Sequence, residues 1–257
     1  MRQITQYIAR LCLVLGAPAI CSGQIRIPLS DVRGQDSPIR VSGQVIFQDD
    51  PSQAIRYTWR VEASIANMSD KDVVVSVVHF EARGINAAGL DDQRSDERFF
   101  GQKNLQAGGV ENISGSVRLG APTLNGKPVS EEVAPDTMPA ASAEVTFVQF
   151  VDGSTWGDAD IGRRLIRERT NTLNELNWLE QVLNERGAGA FIHDLSISNL
   201  GLQYPAVGAL VSHCGSDAAC LIDGLHSMLQ TATERQAEMK DSWGAIPAAL
   251  VDGETPK

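Results

Sequence analysis

The sequence lacks the features that mark several classes of protein. It contains no run of 18 or more apolar residues, and a helix needs about 20 of them to cross a bilayer. We therefore expect no transmembrane helix. Basic residues are also in deficit, because 22 Lys and Arg stand against 32 Asp and Glu, for a formal net charge of −10. Nucleic-acid phosphates are bound mainly by clustered Lys and Arg, so the composition argues against a nucleic-acid partner.

Three local signatures of enzymes and nucleotide-binding proteins are missing as well. The sequence has no G-x-S-x-G, no H-E-x-x-H and no P-loop pattern G-x-x-x-x-G-K-[ST]. Their absence favours a non-enzymatic protein and gives no reason to expect a cofactor. A nucleophile and a base that only folding brings together stay open as an alternative.

The start of the chain has the layout of a secretory signal peptide. Arg2 and Arg10 flank a basic start, residues 11–20 are apolar, and no acidic residue precedes Asp31. Such a basic, then apolar, then small-residue order is typical of a cleaved signal. The pair Ser22-Gly23 predicts a signal peptide over residues 1–23, with an earlier end at Ala19 as a variant.

Two other interpretations of this segment stay open. Acylation of Cys21 would make it a lipid-anchored protein, although the branched Ile20 stands where a lipoprotein signal has a small residue. The segment could also be a buried strand or helix of a cytosolic protein. Export to the periplasm or the extracellular space is the leading expectation.

Export changes the meaning of the four cysteines. Cys12 and Cys21 would leave with the signal, and only Cys214 and Cys220 would remain. Two nearby cysteines in an oxidising compartment most simply form one local disulfide.

The first part of the mature chain has the periodicity of strands. Residues 39–47 and 55–65 alternate apolar and polar side chains, as a sheet with one buried face requires. Residues 73–82 (VVVSVVHFEA) are nearly continuous and β-branched, which indicates a more central strand. Residues 104–119 give a weaker signal and 143–151 a strong one. The stretches 91–98 and 120–142 are predicted to be solvated connectors.

Part of this region resembles a known architecture. The stretch VEASIANMSDKDVVVSVVHFEARG, residues 61–84, resembles two paired strands of the immunoglobulin-like or fibronectin-type β-sandwiches found in uncharacterised exported bacterial proteins. The stretch VTFVQFVDGSTW, residues 145–156, is similar to their last strand. The resemblance covers residues 39–156 and implies an antiparallel sandwich with Ile65, Val75 and Val77 in its core.

After Trp156 the apolar period becomes that of a helix. Leu165, Leu176 and Leu183 belong to a stripe that predicts a helix over about 160–186, ended by glycines 187 and 189. A short helix or turn is expected at 188–195 and a second long helix at about 217–241. Gly224 inside the second helix costs about 1 kcal/mol relative to Ala, which a close approach of another helix would offset.

These patterns predict an α+β protein in four parts. An immunoglobulin-like β-sandwich over 24–158 follows the signal at 1–23. A helical region with two long helices then covers 159–243, and a loose tail covers 244–257.

A zinc site is the sharpest chemical alternative to the disulfide. Its ligands would be Cys214 and Cys220 with His213, His226 or both. Positions 220 and 226 lie about 240° apart around a helix, whereas helical ligands need spacings of three or four. We therefore expect a disulfide and no metal.

The remaining chemical-looking residues have structural interpretations. Arg163, Arg164, Arg167 and Arg169, with Glu168 among them, form a basic patch that could contact a partner. Its place near a helix N-terminus is unfavourable for cations, so acidic neighbours are expected. His79 should be a hydrogen-bonded structural histidine, and His193 and Asp194, as adjacent residues, should diverge. Residues 152–160 only loosely resemble a calcium loop and should form a strand exit and a helix cap.

The function expected from the sequence is binding or assembly, with another protein or an envelope component as partner. An envelope hydrolase with a dispersed site and an inert structural module are the alternatives.

Overall fold

Strands fill the first part of the chain and helices the second. The computed structural model describes residues 24–49, 57–84, 89–101, 103–119, 123–124, 127–128, 138–197 and 205–239. The predicted signal at 1–23, with Cys12 and Cys21, and the predicted tail at 244–257 lie outside these residues. The strands are β1 (Gln24–Asp31), β2 (Ile39–Asp49), β3 (Tyr57–Asn67), β4 (Val73–Arg83), β5 (Leu90–Glu97), β6 (Val110–Leu119), β7 (Thr123–Leu124), β8 (Lys127–Pro128), β9 (Ala140–Phe150) and β10 (Thr155–Gly157). The helices are α1 (Ala159–Ile197), α2 (Pro205–Cys214) and α3 (Ala218–Met239).

Eight of the strands form one mixed sheet in the order β5-β4-β9-β1-β2-β3-β6, with β10 beside β9. Strand β1 makes this sheet continuous. Its residues 24–28 pair antiparallel with β2, and its residues 29–31 pair parallel with β9. The predicted antiparallel immunoglobulin-like sandwich is therefore wrong. The sequence prediction began its strands at Ile39 and missed β1, which provides the parallel pair.

The two ends of this strand order come close together. Arg98, directly after β5, lies 2.9 Å from a carboxylate oxygen of Glu111 on β6. The guanidinium of Arg94 on β5 packs so closely over Gly115 of β6 that a Cβ there would lie 2.2 Å from its Nη1. The sheet is thus a nearly closed, barrel-like structure whose edges meet through side chains. Charged side chains at such edges also discourage pairing with other chains.

The inward faces of the strands form the main core. In strand β3 the alternation of apolar and polar residues matches the alternation of burial. Trp59, Val61, Ala63 and Ile65 are all buried, and the residues between them are not. Phe47 packs against Trp59 with ring centroids 4.9 Å apart.

Strand β4 is buried on both faces, as its nearly continuous apolar sequence predicts. Val78 and Phe80 point into the barrel core. Val75 and Val77 instead pack with Phe147 and with Leu165 of α1. The register shifts between Val77 and Val78, which separates the two sets. Helix α1 thereby covers the outer face of the sheet.

The mixed-charge stretch 91–98 is not a connector. Most of it belongs to strand β5, which pairs antiparallel with β4. The sequence LDDQRSDE lacks β-branched and aromatic residues, so propensity gave no strand signal. An edge strand needs no apolar outer face. In the second predicted connector, the structure describes the short β7–β8 pair and places the start of β9 at Ala140.

Helices α1 and α3 contain the two predicted long helices. Helix α1 is interrupted at Gly187, whose φ of 82° and ψ of 173° are not helical, where the first long helix was predicted to end. Its continuation beyond Gly187 contains the short helix or turn predicted at 188–195. Helix α2 was not predicted, because its sequence PAVGALVSHC is short and apolar without a clear stripe. It packs closely on α3, since a Cβ at Gly224 would lie 2.2 Å from Leu210 Cδ1. No helix in the described ranges is both long and apolar enough to span a membrane.

Candidate functional site

A cleft of about 740 Å³ lies where the three helices meet the end of β5. Its walls come from residues 95–101, from 165–172 of α1, from 206–213 of α2 and from 224–228 of α3. We call it the interlayer cleft. Ligand sites commonly occupy such concave junctions, with volumes of about 300–1,000 Å³. A second, more open depression of about 600 Å³ lies on the outer face of β2, β3 and β6, around Gly43 and Glu62.

The lining residues of α1 and α2 are spaced so that those of each helix lie on the face towards the interlayer cleft. Helix α2 contributes Ala206, Ala209, Leu210 and His213, which are three or four residues apart and share one face. Helix α1 contributes one face in the same way, through positions 165, 168, 169 and 172. Short side chains at Ala206 and Ala209 leave the space open.

The lining combines apolar and charged groups. Phe100, Leu210 and Met228 provide apolar surface. The charged side chains are three carboxylates and one guanidinium, and the imidazole of His213 also faces the cleft. The charged residues are Asp96, Glu97, Glu168 and Arg169.

The guanidinium of Arg169 is fully engaged at the base of the cleft. Its side chain is 2% exposed. Nε and Nη2 donate to the two carboxylate oxygens of Glu97 at 2.8 and 3.1 Å, and Nη1 donates to Gln149 Oε1 at 2.5 Å. The guanidinium also lies 4.8 Å from the ring centre of Phe99. Arg169 thus fastens α1 to β5 and β9.

A second buried arginine stands behind the cleft. Arg98 is completely buried, and its Nη2 donates to Asp96 Oδ2 and to Glu111 Oε2. Its Nε and Nη1 have no hydrogen-bond partner in the described part of the chain. From α3, Nη1 of Arg235 donates to the carbonyl oxygen of Arg98. Burial lowers the pKa of Arg235, an effect that Glu97 partly opposes.

Asp96 is an unusual carboxylate. Burial raises its pKa, and this outweighs the nearby positive charge of Arg98, which acts in the opposite direction. Only its Oδ2 accepts a hydrogen bond from Arg98. Oδ1 has no hydrogen-bond partner among the described residues.

The predicted cysteine pair comes together beside the interlayer cleft. The sulfurs of Cys214 and Cys220 lie 2.01 Å apart, at disulfide distance, with their Cα atoms separated by 5.5 Å. The bond joins the end of α2 to the first turn of α3. It follows His213, so it holds the α2 wall of the cleft in place.

The other predicted residues do not assemble into one site. Within the described ranges, no group of three or more His, Cys, Asp or Glu side chains could hold a metal. His213 faces the cleft, whereas His226 is exposed on α3 and does not line it. The zinc alternative therefore has no arrangement of ligands there.

Three members of the basic patch are exposed on α1, with acidic neighbours as expected, whereas the fourth, Arg169, is buried. Its place in the patch is therefore wrong, because position 169 shares the inward face of α1 with positions 165 and 172. Arg163 pairs with Asp160, and Arg164 lies 3.9 Å from Glu168. Arg167 is exposed. Arg164 Nη2 also donates to Gln93 Oε1 of β5 at 3.2 Å.

The two histidine–aspartate pairs differ from each other. His79 Nε2 lies 2.7 Å from Asp91 Oδ1 across β4 and β5, as a structural histidine should. His193 Nδ1 lies 3.3 Å from Asp194 Oδ1, so the expectation that these adjacent side chains diverge is wrong. The kink at Gly187 also brings Arg186 to within 3.1 Å of Asp194.

Residues 152–160 form a turn, the short strand β10 and a helix cap. Lys71 donates to Asp152 at 2.6 Å and, together with the Ser154 hydroxyl, lowers the pKa of that carboxyl to about 2. Asp158 Oδ1 accepts from the backbone N–H of Asp160 at 2.7 Å at the start of α1.

Sequence reasoning missed the interlayer cleft. Asp96 and Glu97 lay in a stretch taken for a connector, and α2 was not predicted at all. The one available signal was Gly224, because a glycine inside a helical stripe indicates a close neighbour. No family model, curated protein or solved structure matches the chain, so its resemblance to exported bacterial proteins stays a prediction.

Proposed function

We propose that the chain is an exported, non-enzymatic binding protein whose ligand occupies the interlayer cleft. The observation that carries the proposal is a cleft of about 740 Å³, lined by both apolar and charged side chains, at the junction of the sheet and the helices. Export is supported by the signal-like sequence at 1–23 and by the cysteine pair at disulfide distance.

Binding accounts for the cleft better than catalysis does. A general base must lie within hydrogen-bond reach of the group from which it takes a proton, at about 2.6–3.2 Å. Among the described residues, the imidazole of His213 makes no hydrogen bond to a serine or a carboxylate. Arg169 and Glu97 form an ion pair with each other.

The test is capture of a ligand by the mature protein from its native envelope or secretion fraction. Three immobilised forms are compared: wild type, Ala209→Trp and Ala237→Trp. Ala209 lines the cleft and is exposed, so an indole there fills the space. Ala237 is also exposed but lies on α3 and does not line the cleft.

We expect the same ligand to be recovered with wild type and Ala237→Trp and to be lost with Ala209→Trp. Recovery with all three forms would place the site elsewhere. Recovery with none would favour the inert structural module.

A hydrolase is the second candidate, because a specific observation favours it. His213, Asp96, Ser95 and Ser227 all line the interlayer cleft, and a hydrolytic site needs such side chains to converge. A screen of ester, amide and glycoside substrates tests this. Turnover by wild type that His213→Gln abolishes would replace binding by catalysis as the function.

A further inference from the structure

Carboxylates outnumber cations among the residues that line the interlayer cleft. Three carboxylates line it, and the single lining guanidinium is that of Arg169. That guanidinium already donates to both oxygens of Glu97 and to Gln149. Its hydrogen bonds are therefore used at the base of the cleft. The carboxylates of Asp96 and Glu168 line the cleft and receive no hydrogen bond from it.

Asp96 is the more desolvated of these two carboxylates. Its side chain is 22% exposed, and Arg98 contacts only Oδ2. Arg98 is also shared with Glu111. Burial raises the pKa of Asp96 against the opposing charge of Arg98, and the neighbouring carboxylates of Glu111 and Glu97 raise it further. A further cation at Oδ1 would offset this rise.

Glu168 offers a second, more accessible carboxylate on the α1 wall. It is 62% exposed, and Arg164 approaches it only to 3.9 Å. An exposed pair at this distance holds its partners weakly. Glu168 can therefore turn towards a bound cation at little cost.

The remaining surface of the cleft suits an apolar body. Phe100, Leu210 and Met228 line it, and burial of apolar surface is the main source of affinity for small ligands. An aromatic ring at Phe100 can in addition attract a cation. The lining thus joins an apolar surface to an excess of carboxylates.

We infer that the ligand of the interlayer cleft is an amphipathic organic cation, with its ammonium group at Asp96 and Glu168 and its apolar body against Phe100, Leu210 and Met228. This inference rests on the proposed binding function and adds the chemical class of the ligand. An anion would face carboxylates whose contacts with Arg98, Arg164 and Arg169 are already made, and a neutral ligand would add no positive charge at Asp96 Oδ1. Charge complementarity therefore distinguishes the three classes.

Three probes that share a phenyl ring and an alkyl chain and differ in the charge of the end group test the inference by calorimetric titration at pH 7. They are 4-phenylbutylammonium, 4-phenylbutyrate and the neutral 4-phenylbutanol. We expect the cation to bind at least about tenfold more tightly than the neutral probe, because a charge-assisted contact is worth about a factor of ten or more. The anion should bind more weakly than either.

Glu168→Gln locates the effect, since it removes one charge from an exposed residue with little structural role. We expect it to weaken binding of the cation by about three- to tenfold, because one of two carboxylates is lost. It should leave the neutral probe unchanged. Glu185→Gln is the matched control, because Glu185 is also exposed on α1 but lies outside the cleft, and it should bind all three probes as wild type does.

Each other outcome overturns the inference. Equal or tighter binding of the anion or the neutral probe would show that the cleft does not select cations. No binding of the cation would have the same meaning, and so would equal weakening by Glu168→Gln and Glu185→Gln. The proposed function is judged separately, by whether Ala209→Trp loses the captured native ligand.

Discussion

At the scale of single residues, buried arginines connect the helices to the sheet. Arg169 reaches from α1 to Glu97 on β5 and to Gln149 on β9. Burying these groups carries a desolvation cost that their mutual contacts offset. The consequence is asymmetric, because removing one partner leaves the others buried without compensation.

Arg169→Met should therefore lower the free energy of unfolding by about 3 kcal/mol, the loss expected when one partner of a largely buried pair is removed. Methionine keeps most of the apolar stem, so the lost contacts dominate. Urea denaturation followed by circular dichroism measures the change. Arg167→Met, on the exposed side of the same helix, should stay within about 0.5 kcal/mol of wild type. Equal stability of the two variants would refute the role given to Arg169.

Asp152 gives a prediction about pH. Lys71 and Ser154 hold its pKa at about 2, below the usual 3.8. A carboxyl with a lowered folded-state pKa stabilises the protein above its unfolded pKa, and this contribution is lost as the pH falls through about 2. The group is half exposed, so salt will reduce the effect.

Lys71→Met should raise the pKa of Asp152 towards its usual value, because the largest cause of the shift is the hydrogen bond from Lys71. NMR titration of the side-chain carboxyl measures it. Lys103→Met, which removes an exposed lysine elsewhere, should have no effect. An unchanged pKa in Lys71→Met would contradict this assignment.

At the scale of elements, glycines set the shape of α1. Gly187 has φ 82° and ψ 173°, a conformation that is nearly restricted to glycine. Gly189 is two residues further on, within the helical continuation, and a Cβ there would meet nothing within 4 Å.

The two positions should therefore respond oppositely to alanine. Gly187→Ala should lower the free energy of unfolding by about 1–3 kcal/mol, because alanine is strained in the backbone conformation of this position. Gly189→Ala should stabilise by about 0.5–1 kcal/mol through helix propensity. Thermal unfolding of both variants checks the pair. Stabilisation by Gly187→Ala would mean that α1 is straight in solution.

The disulfide gives the second prediction at this scale. Cys214→Ser combined with Cys220→Ser should cost about 2 kcal/mol by the entropy of closing a short loop, and it should loosen α2 on one side of the cleft. Urea denaturation measures the loss. A reductant should bring wild type to the level of the double variant and leave the variant unchanged. Two free thiols in the denatured, unreduced wild type would contradict the bond.

Elements differed in how far the sequence predicted them. The alternation in β3, the apolar run of β4 and the glycine at the break of α1 each produce a pattern that only one local structure satisfies. Strand β5 and helix α2 produce none. The charges of β5 are compatible with an edge strand only because β4 supplies its hydrogen bonds, and α2 is held by Leu210 against Gly224. Both depend on neighbours distant in sequence.

At the scale of the whole molecule, one strand changed the predicted architecture. Local patterns indicate strands, but they do not say which strands pair. Strand β1 divides its hydrogen bonds between β2 and β9 and so converts two expected sheets into a single barrel-like one. The same limit applies to the interlayer cleft, because its walls come from four segments that only the fold brings together.

The central claim is that the interlayer cleft binds an amphipathic cation. Hydrogen–deuterium exchange of the wild-type protein, alone and with saturating 4-phenylbutylammonium, tests it most directly. Bound ligand stabilises the segments that it contacts against local opening. The account predicts slower exchange in residues 206–213, with smaller effects in 95–101, 165–172 and 224–228. Unchanged exchange in these segments, or protection confined to the outer face of the sheet around Gly43 and Glu62, would contradict it.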